Sequence, residues 1–157
     1  VMTASVMAFS HGANDVANAI GPMVSALNIL RSGNVEFTGV VPIWVMLWGA
    51  LGVAIGVSTY GYKVMQRVGS DITTLSPSRS FAAQLATGIV VLSASHLGFP
   101  VSTTQILVGG VMGVGLARGL AAIDLSVVKG IFLSWLITIP SGAMLSIVIY
   151  RIFEIIL

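Results

Sequence analysis

Long apolar runs joined by short polar connections set the pattern of this chain. The first run covers residues 1–30. At 1.5 Å per residue it exceeds the roughly 30 Å hydrocarbon thickness of a bilayer. One polar stretch interrupts it: Ser10-His11-Gly12-Ala13-Asn14-Asp15-Val16-Ala17-Asn18-Ala19-Ile20-Gly21-Pro22. Gly12, Gly21 and Pro22 are places where a helix breaks or bends, so a broken helix of two shorter pieces is expected over 1–30. Residues 31–41 form a polar connection. Residues 42–62 carry no charge and predict a conventional spanning helix, with Trp44, Trp48, Tyr60 and Tyr62 near its ends as interfacial anchors. Residues 63–80 hold Lys63, Arg67, Asp71 and Arg79 and predict a cytoplasmic loop, in which Ser76-Pro77-Ser78 reads as the turn before a helix.

Residues 81–97 are apolar but short for a full span, and end in Ser93, Ser95 and His96. Gly98-Phe99-Pro100-Val101-Ser102-Thr103-Thr104-Gln105 follows, then a second apolar run to residue 117. No charge separates the two runs. A re-entrant helical hairpin over 81–117 fits this better than two complete spans with a tight turn, although both are open. Residues 118–129 are a further polar connection. Residues 127–150 predict a last spanning helix, kinked at Pro140. Gly52 and Gly56, with Gly49 on the same side, have the spacing of a close helix contact, as do Gly109/Gly113 and Gly115/Gly119. Small residues are also simply common in membrane helices.

Composition supports the membrane reading. Hydrophobic residues make up 56% and charged residues 8% of the chain, with a mean hydropathy of +1.02. A soluble domain would carry roughly three times that charge. The predicted class is an all-α integral membrane protein with broken transmembrane helices and a re-entrant hairpin. Without cysteine there is no disulfide scaffold, thiolate metal site or thiol nucleophile. A net charge of +2 without a basic run gives no reason to expect nucleic acid as a partner. Lys63, Arg67, Arg79, Arg118 and Lys129 fall on one side of the predicted topology, and Arg31 and Arg151 on the other. That bias places loops 63–79 and 118–129 in the cytoplasm and the C-terminus outside. A multi-pass chain of the plasma (inner) membrane is expected.

The polar stretch is where the chemistry concentrates. In a helix, His11, Asn14, Asp15 and Asn18 fall at i, i+3, i+4 and i+7 and share one face. An Asp at the membrane centre costs about 2.5–3.5 kcal/mol on insertion scales, so it needs a proton, a cation or a basic partner. Apart from Lys129 at the edge of the last span, no Lys or Arg lies in a predicted membrane segment. Asn14 and Asn18 add carbonyl oxygens, which suit a hard cation such as Na⁺. Asp15 held neutral by a hydrogen bond to a neighbouring helix is the plainer alternative. One His–Asp pair is too little for a transition-metal site, and His96 reads as a packing residue.

Ser102 and Gln105 match a capping box, so a helix is expected to start there. Buried in a membrane, its free N–H groups and positive dipole end would attract an anion. Ser102, Thr103 and Thr104 would add hydroxyl donors. An ordinary cap in a loop would show the same residues. Together the two motifs pair cation ligands with an anion cradle. Anion entry against a negative-inside potential costs about 2.3 kcal/mol per charge per 100 mV, and cation co-binding reverses that sign. The residues therefore point to a cation-coupled anion symporter.

The run from Gly12 to Pro22 resembles the signature of the PiT family of inorganic phosphate transporters, and Pro100-Val101-Ser102-Thr103-Thr104-Gln105 resembles that family's second motif. Residues 42–61, Leu75-Ser76-Pro77-Ser78 and residues 132–140 are similar to the family's C-terminal half. The resemblance implies a secondary transporter, not an enzyme, that moves phosphate with Na⁺ or H⁺. It implies two inverted repeats, each with both motifs, and a dimer in some members. Carried over, Asn14 and Asp15 would hold Na⁺, while Asn18, Ser102, Thr103, Thr104 and Gln105 would bind phosphate. No organic cofactor is implied. This chain has one copy of each motif and opens at Val1 inside an apolar run. It is therefore expected to be one repeat, the C-terminal half of a transporter whose N-terminal repeat lies elsewhere.

Na⁺ is expected over H⁺ because carbonyl oxygens cluster around Asp15. The alternatives are H⁺-coupled phosphate or metal–phosphate symport, and a sulfate permease of the same fold. Sulfate has no proton to donate at neutral pH, so carboxylate and carboxamide acceptors favour phosphate. An intramembrane hydrolase using His11 and Asp15 lacks an activated nucleophile. A structural module packed through its glycines needs no ligand.

Overall fold

The structure is a computed structural model that describes residues 2–33 and 41–156. Five helices account for most of it: α1 (Met2–Ser32), α2 (Ile43–Gln66), α3 (Pro77–His96), α4 (Thr103–Leu116) and α5 (Leu125–Ile156). The chain divides into two compact units, Val1–Ile123 and Asp124–Leu157.

In the first unit α1 packs against α2 and α3 and touches α4. Ile20 and Val24 of α1 close on Val45 of α2, flanked by Val16, Leu27 and Val41. Gly49 permits this approach: a Cβ there would lie 2.8 Å from a side-chain carbon of Ile20. Gly52 and Gly56 have open space around them among the described residues. The contact therefore uses Gly49, the flanking member of the predicted glycine set. Between α3 and α4 the close approach is at Gly110, where a Cβ would lie 2.9 Å from Thr87 Oγ1 and 3.1 Å from the Ala83 carbonyl oxygen. Among the described residues, Gly109 and Gly113 face open space.

α1 is one unbroken helix with Pro22 inside it, not the broken helix expected over 1–30. The physical reason is local. Pro22 removes one N–H, and each glycine costs up to about 1 kcal/mol relative to alanine. A break among apolar surroundings would strand several backbone groups at greater cost. The predicted loop 63–80 is also mostly helical. α2 runs through Lys63 to Gln66, and a π-helical turn continues it over Arg67–Asp71, leaving residues 72–76 non-helical. Lys63, Gln66, Arg67 and Ser70 are exposed there and leave the backbone free to continue its ladder.

α3 ends where the sequence requires. Gly98 takes φ +74°, its N–H bonds to the Ser95 carbonyl, and the Phe99 N–H bonds to the Ala94 carbonyl. This is a Schellman termination, and Pro100 blocks further helix. Ser102 caps the start of α4, its Oγ accepting from the Gln105 N–H at 3.4 Å. The expected cap is present, and α3 and α4 form a helical hairpin. α3 starts four residues before the predicted run, at Pro77, and its 20 residues give about 30 Å of helix.

The second unit is α5 alone. Asp124 caps it, with Oδ1 accepting from the N–H groups of Ser126 at 2.9 Å and Val127 at 3.2 Å. The helix is continuous through Pro140 and past residue 150, so Arg151 and Glu154, predicted beyond the span, lie within it and pair at 2.8 Å. α5, and α2 with its π turn, are both long and apolar enough to cross a membrane, with mean hydropathies of 1.9 and 1.6.

Candidate functional site

The polar stripe of α1 forms as the spacing predicts, and it faces the end of α3 and the start of α4. Asp15 is the meeting point. Thr103 Oγ1 donates to its Oδ1 at 3.0 Å and its Oδ2 at 3.2 Å. His11 Nε2 lies 2.9 Å from Oδ2, one helical turn back. Thr103 is 1% exposed, whereas the Asp15 side chain keeps 31% of its surface open. The first residue of α4 thus anchors the carboxylate, and part of that carboxylate remains available.

A hydrogen bond to a charged group contributes roughly 1.5–3 kcal/mol, similar to the insertion cost of a membrane Asp. Two such neighbours offset most of that cost. Asp15 therefore has protein partners, His11 on its own helix and Thr103 on a neighbouring one, as the plainer alternative expected, and its placement needs no cation to explain it. What a cation would use is the open part of the carboxylate.

The carboxamides are more constrained. Asn14 is buried. Its Nδ2 donates to Ser95 Oγ on α3 at 3.0 Å, and its Oδ1 accepts from Asn18 Nδ2 at 2.8 Å. Asn18 Nδ2 also donates to the Val101 carbonyl at 3.0 Å. Asn18 is exposed, so its own oxygen is the open carboxamide acceptor of the pair.

Of the second motif, Thr103 reaches α1 directly. Ser102 Oγ accepts the cap bond and is exposed, as is Gln105, while Thr104 is half-buried. His96 is exposed at the end of α3. Two members of the site were not identified from sequence. Ser95 was visible as a polar residue closing an apolar run. The Val101 carbonyl carried no side-chain signal; only the helix start after it marks a carbonyl outside a helix ladder.

Fold and site define an all-helical membrane protein with an acidic, carboxamide-rich cluster where α1 meets the α3–α4 link. The chain belongs to the phosphate transporter family (PHO4), whose model matches residues 1–146. That family consists of transporters, not enzymes. A protein of Haemophilus influenzae named as a phosphate permease is 50% identical over 97% of this chain and 36% of its own length. The chloroplastic inorganic phosphate transporter 2-1 of Arabidopsis thaliana is 48% identical over 98% of this chain and 26% of its own. A solved structure described as the sodium-dependent phosphate transporter superposes with a TM-score of 0.82 at 44% identity, over 99% of this chain and 39% of that one. The chain thus spans well under half the length of these relatives.

Proposed function

We propose that this chain supplies one half of an Na⁺-coupled inorganic phosphate symporter. The observation that carries the reading is the Thr103–Asp15 bond, which brings the two predicted motifs into one site. Asp15, with the carboxamides of Asn14 and Asn18 beside it, provides oxygen acceptors for Na⁺. At the α4 start, free N–H groups and the hydroxyls of Ser102 and Thr104 provide donors for phosphate, beside Asn18 and Gln105; the Asn18 nitrogen and the Thr103 hydroxyl are already given to Asn14, Val101 and Asp15. The cation screens the phosphate from the Asp15 carboxylate. Likeness to a sodium-dependent phosphate transporter supports the choice of Na⁺.

With one copy of each motif, this half is completed by a second, inverted repeat. The α3–α4 hairpin is re-entrant in this reading, its tip at Gly98 to Val101 within a plasma-membrane, multi-pass protein that forms a homodimer. Uptake of labelled phosphate into proteoliposomes tests the proposal. Uptake driven by an inward Na⁺ gradient supports it. Uptake that follows a pH gradient and ignores Na⁺ replaces it with H⁺ coupling, the second reading, which the 2.9 Å His11–Asp15 contact favours.

A further inference from the structure

Two arginines from separate segments meet at one residue. Arg79 Nη1, in the first turn of α3, donates to the Thr74 carbonyl at 3.1 Å. Arg118 Nη1, just past the end of α4, donates to Thr74 Oγ1 at 2.8 Å. A bias of basic residues toward one side of a membrane puts arginines in both connections, but it does not require them to converge. Convergence brings two like charges together, and these repel. Among the described residues neither arginine pairs with a carboxylate. Asp71, three positions before Thr74, is taken by Arg67 at 3.4 Å. The place is fixed from below. Ile72 and Thr73 are buried, and a Cβ at Gly115 of α4 would lie 3.5 Å from the Thr73 Cβ. That packing ties the loop before α3 to the end of α4 and holds the two arginines near each other.

We propose that Arg79 and Arg118 hold one phosphate group between them, carried by an anionic phospholipid headgroup or by free inorganic phosphate. Each guanidinium is a planar fork of N–H donors, and its bond to Thr74 uses one nitrogen. The rest of the fork matches phosphate oxygens two at a time. The anion also removes a repulsion that the protein leaves unmet. Ser76 makes no side-chain cap on α3, so the positive end of that helix adds to the same field. The site is separate from the Asp15 cluster. It lies at the other end of α4 from Thr103, about 20 Å away for a helix of 14 residues. In the topology expected from the basic residues, this end faces the cytoplasm, where anionic headgroups and free phosphate are both within reach. A bound phosphate group ties the start of α3 to the end of α4 and stabilises the open end of the hairpin, whichever ion couples uptake.

The test is ligand binding to the purified full-length protein that carries this chain, followed by melting temperature. Short-chain phosphatidylglycerol and inorganic phosphate are titrated separately, with phosphatidylcholine of the same chain length as the blank. The Asp15 cluster is intact in wild type and variants alike, so only the part of the shift that the arginines remove is read. Arg79→Gln and Arg118→Gln should each raise the half-maximal ligand concentration at least about tenfold. That dependence with phosphatidylglycerol supports the inference and identifies a headgroup; with inorganic phosphate it supports the inference and identifies the free anion. Lys63→Gln removes the same charge from the same side of the predicted topology and should change binding less than about twofold. Equal weakening by Lys63→Gln would mark a diffuse attraction of charge and overturn the inference. Loss in one arginine variant but not the other overturns the shared site. Where a glutamine variant does not fold, Arg79→Lys and Arg118→Lys keep the charge and lose the fork. They should weaken binding roughly threefold, and unchanged binding in them overturns the inference. An absence of any arginine-dependent shift with either ligand does so as well.

Discussion

Thr103 and Asp15 are 88 positions apart in the chain, yet the threonine hydroxyl bonds to both oxygens of the carboxylate, at 3.0 and 3.2 Å. That contact joins the first turn of α4 to the middle of α1. The helix start expected to bind an anion and the acid expected to bind a cation are therefore mechanically linked. A ligand that displaces either partner acts on the other.

In the proposed symport, Asp15→Asn removes the charge but keeps an oxygen for Thr103. Na⁺-driven uptake should fall at least about tenfold, equivalent to about 1.4 kcal/mol, with little change in thermal stability. Uptake and melting curves on the same preparation check this. Full Na⁺ dependence in the variant would place the coupling charge elsewhere.

Thr103→Val keeps the side-chain shape and deletes the donor. A hydrogen bond to a charged acceptor is worth roughly 1.5–3 kcal/mol, whereas Thr103→Ser keeps that bond and loses one buried methyl, worth about 0.8 kcal/mol. Melting temperature should therefore rank wild type, then serine, then valine. The reverse order of the two variants would show that packing, not the bond to Asp15, dominates at this 1% exposed position.

Adjacent glycines on α4 should respond oppositely to alanine. At Gly110 the new Cβ would meet Thr87 Oγ1 at 2.9 Å and the Ala83 carbonyl at 3.1 Å, and that backbone cannot swing aside. Gly110→Ala should lower the melting temperature and loosen the hairpin. Gly109 faces open space, so Gly109→Ala should leave stability unchanged or raise it by up to about 1 kcal/mol through helix propensity. Comparable losses at both positions would count against the packing described.

Among the described residues, Thr73 Oγ1 is buried without a hydrogen-bond partner. An unmet buried hydroxyl costs about 1–3 kcal/mol, so Thr73→Val should hold or raise the melting temperature. A clear loss would reveal a bond to that hydroxyl.

Much was legible in the sequence because it depends on neighbours close in the chain. The apolar runs determined the helices, since backbone groups in an apolar medium pair within their own segment. The i, i+3, i+4, i+7 spacing put His11, Asn14, Asp15 and Asn18 on one face, and Ser102 with Gln105 marked the start of α4. Gly98 and Pro100 marked the end of α3. Local reading went too far at Gly12, Gly21 and Pro22, where residues that weaken a helix do not end one that has no better place for its backbone. Only the tertiary structure decided which residues meet across the fold. Thr103 on Asp15, Ser95 on Asn14 and the Val101 carbonyl on Asn18 are pairings between segments more than 80 positions apart. Which glycines, Gly49 and Gly110, lie at the close approaches was decided there too. The physical reason is the same throughout. A helix face and a helix cap are set by spacing along one chain segment, whereas a hydrogen-bond partner is set by which segments pack together.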